Sequence, residues 1–351
     1  MVDVDVDVVS KSWSLDGDGD VEVDATVDRA RPRPARRAIA YNVGPMDAPE
    51  LPRWLAAMFP AGMRRRMVDV GDGLAMHVAE WGDPRALPVV MVHGNPSWGF
   101  LYRKVVAELL ARPGTRLRLV VPDLVGLGLS SKPRALAAHT LVAHGTWLGR
   151  CLDALELDRA VAVVQDWGGA IAMSAFASRL DRLAGLVILN TAFSPPRPDF
   201  RPTPFHRFAK LPGISDAVFR LGAFPQNAMT FVQGDRTSIV GAALLGYLWP
   251  LRRIRDRAAP LALARMVPDS LAHPSVAEMQ RCDAAVRGFT GPVSIVWGDR
   301  DPILGRVVGH LQRMLPAAEV TRTSAGHFLQ EEVPGPIADA IGSVVARAEA
   351  N

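Results

Sequence analysis

From about residue 66 the chain alternates short apolar, β-branched runs with longer stretches of helical period, and no other feature constrains its fold as strongly. The runs are MVDV (67–70), AMHVAEW (75–81), PVVMVHG (88–94), LRLVVPDL (117–124), AVAVVQDW (160–167), GLVILNTA (185–192), PVSIVWGD (292–299) and AEVTRT (318–323). Helical patterns fall near 100–111, 140–157, 168–180, 303–314 and 334–349. A near-continuous apolar strand must bury both of its sides. The pattern therefore predicts an α/β protein with a mostly parallel, eight-stranded sheet flanked by helices. In such sheets the functional groups gather at the carboxyl ends of the strands.

The rhythm stops between residues 194 and 285. That stretch holds the proline-rich SPPRPDFRPTP, many aromatics and helical periods, but no convincing buried strand. It predicts a helical cap (194–285) inserted between the two parts of the core, 46–193 and 286–351. The first 45 residues differ again. Residues 1–28 carry a net charge of −8 in a Val-Asp alternation, and residues 29–37 add five arginines. This segment reads as a disordered tail, or as sequence upstream of a start at Met46, just before the helix-like PELPRWLAAMFP. No apolar stretch follows its positive charges, so no secretory signal is expected.

Composition narrows the function classes. Of 351 residues, 49% are hydrophobic and 22% charged, enough for a sizeable core and far from a disordered composition. After residue 37 the net charge is +7, with no basic run longer than Arg64-Arg65-Arg66, so no nucleic-acid partner is expected. No apolar run approaches the roughly 18 residues of a membrane span. Two cysteines, Cys151 and Cys282, make neither a disulfide framework nor a zinc site. With the missing signal they point to the cytoplasm. The eight histidines show no metal spacing, and His139 and His144 stand too far apart to share one helical face. No metal and no organic cofactor is expected.

The strand ends carry the chemistry. After the third run comes His93-Gly94-Asn95-Pro96-Ser97-Trp98, and after the fifth Gln165-Asp166-Trp167-Gly168-Gly169, opening directly into a helix. The seventh ends in Gly298-Asp299-Arg300-Asp301-Pro302, and Gly326-His327-Phe328 follows the last. Nucleophile, acid, histidine is the chain order of the α/β-hydrolase fold, with V-Q-D-W-G in place of its usual G-x-S-x-G elbow. An ionised carboxylate needs no base to act as a nucleophile. At an acyl carbon it would form an anhydride, whereas at a saturated carbon it leaves an alkyl ester. His327, oriented by an acid, would then activate water against that ester. The backbone N–H groups of Asn95 and Trp167 are candidates for the oxyanion hole. Each residue alone has a plainer reading: Asp166 as a helix N-cap, Asp301 as a turn residue, His327 as a helix-end histidine. Their conjunction in the right order at successive strand ends favours an Asp166–His327–Asp301 triad, with Asp299 as the rival acid.

Residues 64–347 resemble the haloalkane dehalogenases. The resemblance rests on HGNPSW with the following LYRK, VVPDLVGLGLSSKP, VQDWGGAIAM, LVILNTA, VWGDRDPILG and AGHFLQEEVP, in matching order and spacing. It implies Asp166 as nucleophile, His327 as base, Asp301 as acid, and the side chains of Asn95 and Trp167 as halide donors. Asparagine at position 190, where another branch of the family carries glutamate, fits the branch with an Asp-His-Asp triad. The implied reaction turns a small apolar halogenated substrate and water into a primary alcohol and halide. Phe205, Phe208, Phe219, Phe224, Phe231 and Trp249 in the cap fit such a substrate, although each also reads as cap core. Epoxide hydrolysis on the same scaffold is the alternative; it calls for two cap tyrosines, and Tyr247 is alone there. A non-catalytic ligand-binding member is the other. The tail and the cap surface leave room for a homo-oligomer.

Overall fold

The computed structural model describes residues 47–113 and 116–350, so the expected N-terminal tail lies outside the described residues. All eight strands form where the apolar runs predict them: β1 (Arg64–Gly71), β2 (Leu74–Gly82), β3 (Pro88–Val92), β4 (Arg118–Pro122), β5 (Ala160–Val164), β6 (Leu183–Leu189), β7 (Val293–Gly298) and β8 (Glu319–Thr323). They make one sheet in the order β1-β2-β4-β3-β5-β6-β7-β8. The β1–β2 and β2–β4 pairs are antiparallel and every later pair is parallel. Asp72 and Gly73 join β1 to β2 with positive φ at both positions (59° and 70°), the conformation a tight hairpin requires.

Helices cover both faces. They are α1 (Arg53–Ala56), α2 (Arg103–Ala111), α3 (Leu141–Ala154), α4 (Trp167–Phe176), α5 (Pro204–Ala209), α6 (Ile214–Arg220), α7 (Gly241–Leu248), α8 (Ala258–Arg265), α9 (Val276–Gly288), α10 (Val308–Met314) and α11 (Pro334–Ala350). One core layer joins apolar residues of α3, α4, α9 and α10 to the sheet, and another joins α2 and α11. Strands β5 and β6 are buried along their whole length, which explains their unbroken apolar sequence. Among the described residues, no helix is long and apolar enough to cross a membrane.

The chain passes from β3 out to β4 and returns across β3 to β5. That reversal opens a crevice between the carboxyl ends of β3 and β5, where Asn95 and Asp166 emerge. Residues 194–285 hold the helices α5 to α8 and most of α9, joined by loops, and contribute no strand. The helix α9 runs through the boundary expected at 285/286. Its Met279, Cys282, Ala285 and Val286 pack into the same core layer as α4, because its apolar side lies against α4. A buried ion cluster ties the inserted region to the core: Glu331 binds Arg103, Lys104 and the hydroxyl of Tyr247.

Candidate active site

β5 ends at Val164, and Asp166 turns the chain straight into α4 with φ 51° and ψ −131°. Positive φ at a residue other than glycine costs about 1–3 kcal/mol and persists only where its surroundings enforce it. Here Asp166 N–H donates to Asn190 O (2.9 Å), and Asp166 O accepts from the Thr191 hydroxyl (2.5 Å). The turn is so tight that a Cβ on Gly168 would lie 2.2 Å from the carbonyl oxygen of Val92. Although Asp166 holds the N-cap position, its side chain caps nothing. The carboxylate points away from the helix into the crevice. Its Oδ1 accepts from the backbone N–H of Asn95 at 2.7 Å.

His327 reaches the same crevice from the loop after β8, anchored by its own N–H on Val232 O (2.9 Å). Its Nδ1 donates to Asp301 Oδ2 at 2.9 Å, and its Nε2 lies 3.5 Å from Asp166 Oδ2. Asp301 is in turn fixed by Asn190 Nδ2 (2.8 Å) and by the N–H of Ile303 (2.7 Å). The side chain of Asp166 is 16% exposed, against 2% for His327 and none for Asp301, so the elbow carboxylate faces the open side. Asp299 is on the surface, paired with Arg322 at 2.7 Å, and does not touch His327. Asp166, His327 and Asp301 are thus brought together, His327 hydrogen-bonded to Asp301 and within ion-pair distance of Asp166.

Charge follows from this placement. Burial alone would push the His327 imidazole towards its neutral form. The charge of Asp301, hydrogen bonds to Asp166 and Asp301, and the charge of Asp166 overcome it and raise its pKa to about 10. Burial alone would likewise raise Asp301. The charge on His327 and the bonds from His327, Asn190 and Ile303 hold it below the usual carboxylate range instead. Both neighbouring acids thus favour the protonated form of the His327 ring.

The two expected halide donors sit on either side of Asp166. Trp167 opens α4, so its backbone N–H has no partner inside the helix. Its indole is half-buried, and no acceptor among the described residues takes its Nε1–H. By contrast, Trp81, Trp98 and Trp297 all donate theirs to backbone carbonyls. Asn95 Nδ2 donates to Pro260 O in α8 at 3.0 Å, while its buried Oδ1 has no partner. One amide proton of Asn95 thus holds the inserted region, and the other is left over.

Three arrangements were not legible from the pattern. Gln165 Nε2 donates to His327 O (3.1 Å) and approaches His327 Nε2 (3.3 Å), a contact the sequence signals only by a large polar residue where the usual elbow has glycine. Asn190 supports Asp301 directly, which its position after β6 hints at but does not specify. The rings of His139 and His144 do meet, contrary to expectation: their centroids are 5.3 Å apart and Nδ1 of His139 is 3.1 Å from Nε2 of His144. His139 precedes the N-cap Thr140, so helical spacing does not separate them. Among the described residues, no group of three or more metal-ligating side chains forms. The cap aromatics do not form one lining either. Phe208, Phe219 and Phe224 pack on one another, Trp249 lies under Arg252, and Phe205 and Phe231 face outward.

A carboxylate on a strained strand-to-helix turn, followed in the chain by an acid and a histidine at later strand ends, defines an α/β hydrolase. Residues 88–334 match the model of that family, described as the alpha/beta hydrolase fold. The chain is 31% identical over 271 residues to a haloalkane dehalogenase of Mycobacterium marinum, spanning 76% of this chain and 88% of that one. It is 32% identical over 251 residues to haloalkane dehalogenase 1 of Mycobacterium tuberculosis, spanning 70% and 79%. Its fold matches the crystal structure of a haloalkane dehalogenase from Bradyrhizobium elkani with a TM-score of 0.73, at 23% identity over 82% of this chain and 99% of that one. Within the α/β hydrolases, the chain belongs to the haloalkane dehalogenase family.

Proposed function

We propose that this protein hydrolyses haloalkanes to a primary alcohol and halide through an alkyl ester on Asp166. The observation that carries the reading is the pairing of Asp166 with Asn95 and His327: Oδ1 is held by a backbone N–H at 2.7 Å, and Oδ2 faces the open crevice 3.5 Å from the ring. In the first step Oδ2 attacks the halogen-bearing carbon, the carbon–halogen bond breaks, and the halide leaves with its electron pair. The free indole N–H of Trp167 and the second amide proton of Asn95 receive that charge, adding no competing acid.

Alkylation also resets the base. The ester carries no charge, so both contributions of Asp166 to the raised His327 pKa disappear; with only Asp301 still favouring the proton, the ring releases it to solvent more readily. Neutral His327 then takes a proton from water, whose oxygen attacks Cγ of Asp166. The backbone N–H groups of Asn95 and Trp167 hold the oxyanion. Collapse releases the alcohol, protonated by His327, and the carboxyl proton left on Asp166 passes back to His327, restoring the carboxylate and the protonated ring. In this account the cap lies within residues 194–285, with α9 at its end packing beside α4.

Epoxide opening would need a tyrosine hydroxyl at the leaving oxygen. Tyr102 gives its hydroxyl to Val92 O at 3.0 Å, and Tyr247 gives its own to Glu331 at 2.5 Å, so neither is offered to the crevice. Turnover of a bromoalkane in oxygen-18 water tests the reading. Solvent oxygen should enter the carboxylate of Asp166, and the first alcohol released should carry unlabelled oxygen. Label in the alcohol alone, with none in Asp166, would mean direct attack by water; no turnover together with reversible ligand binding would mean a binding protein.

A further inference from the structure

We propose that Gln165 is a positioning residue that keeps His327 in the neutral form needed to activate water against the alkyl ester, by donating its amide N–H to the ring Nε2 until the attacking water takes its place there. The inference rests on the reaction proposed above for its catalytic meaning, although the contact itself does not. Gln165 is fully buried at the end of β5, directly before the elbow. Its carboxamide orientation is set by chemistry: the atom 3.1 Å from the carbonyl oxygen of His327 must be the donor nitrogen. That same nitrogen lies 3.3 Å from Nε2 of His327, and its second proton has nowhere better to go. The other end of the amide, Oε1, is buried without a partner. A side chain of similar volume without the amide would fill this space and leave no polar atom stranded, so the group's contribution is at the histidine.

The consequence depends on the ring's charge state. With Nδ1–H given to Asp301, a neutral imidazole presents a lone pair at Nε2, which accepts from Gln165. An imidazolium presents an N–H there, and two donors then face each other. The charged groups against the ring are Asp301, from the loop after β7, and Asp166, from the elbow, and both favour the imidazolium. Phe328 meets the ring edge and the Val232 carbonyl holds its backbone, so neither adds charge. Once Asp166 is esterified, Asp301 alone still favours the proton on the ring, and Gln165 opposes it.

The test is a proton NMR titration of the His327 ring in Asp166→Asn, whose uncharged amide stands in for the ester. Adding Gln165→Met should raise the midpoint by about half a unit or more, a roughly threefold change in the ratio of imidazole to imidazolium. Gln165→Asn, a polar amide one methylene too short to reach Nε2, should do the same and serves if the methionine variant does not fold. A midpoint that is unchanged or lower in a folded variant overturns the proposal, because a side chain that merely fills space would alter the unfolding midpoint and not the titration. In the otherwise unaltered protein, Gln165→Met should also move the acid limb of ester hydrolysis upward by the same amount, and an unmoved limb counts against it. If the unaltered protein forms no alkyl ester while the titration shifts as expected, the reaction fails and the coupling of Gln165 to His327 stands.

Discussion

The backbone N–H of Asn95 donates to Oδ1 of Asp166 at 2.7 Å, which makes the two oxygens of one carboxylate different. Oδ1 is already in the place where an oxyanion would be held, while Oδ2 stays free to attack. Gly94 makes this approach possible, since a Cβ there would sit 2.2 Å from Oδ1. One loop therefore supplies both a donor for the carboxylate and, through the Asn95 side chain, a tie to α8.

Replacing Trp167 by phenylalanine keeps an aromatic ring and removes the free indole N–H. A hydrogen bond to a charged partner contributes about 1.5–3 kcal/mol, so kcat/KM for a bromoalkane should fall roughly 10- to 100-fold. Quenching of the protein's fluorescence by added bromide should weaken in parallel. Unchanged kinetics would remove Trp167 from the halide site.

The two acids of Gly298-Asp299-Arg300-Asp301 should behave oppositely. Asp301→Asn removes the charge that orients His327, and ester hydrolysis should slow by about 10²-fold or more, with alkyl-enzyme accumulating in rapid-quench mass measurements. Asp299→Asn breaks only the surface pair with Arg322, so its stability should stay within about 0.5 kcal/mol of the parent and its turnover should be unaltered. The reverse pattern would exchange their roles.

Stability should carry the signature of the buried imidazolium. The folded-state pKa of His327, about 10, exceeds its unaltered value of 6.5. Its protonation therefore stabilises the fold fully below about pH 6.5, and that contribution is lost as pH rises through about 10. Urea midpoints measured across this window should decline, and His327→Phe should flatten the decline. An equal slope in both proteins would place the titration elsewhere.

Much of this was legible because it depends on local pattern. Buried parallel strands are apolar on both sides, so β3, β5 and β6 stand out as unbroken runs, and the residues just beyond them are the ones that meet in the crevice. Asp166, His327 and Asp301 could be proposed from chain order together with their places at strand ends, with Asp299 left as a rival to Asp301. The supporting contacts could not. Gln165 and Asn190 act through side chains that reach across strands, and nothing in a linear pattern says that an amide at the end of β5 lies against the loop after β8. The carbonyls of Pro260 and Val232 come from inserted segments whose docking depends on packing, not on period. The packing of helix α9 was hidden for a related reason: it follows the inserted helices in sequence, and nothing in its period says that its apolar side lies against α4.

The most direct test of the central claim uses His327→Phe, which keeps the elbow carboxylate and removes the base. Incubated with 1-bromohexane and weighed intact, it should gain one hexyl group, mapped to Asp166 and absent from Asp166→Ala/His327→Phe. A folded His327→Phe protein that gains no mass, or gains it at another residue, would contradict displacement at carbon by Asp166.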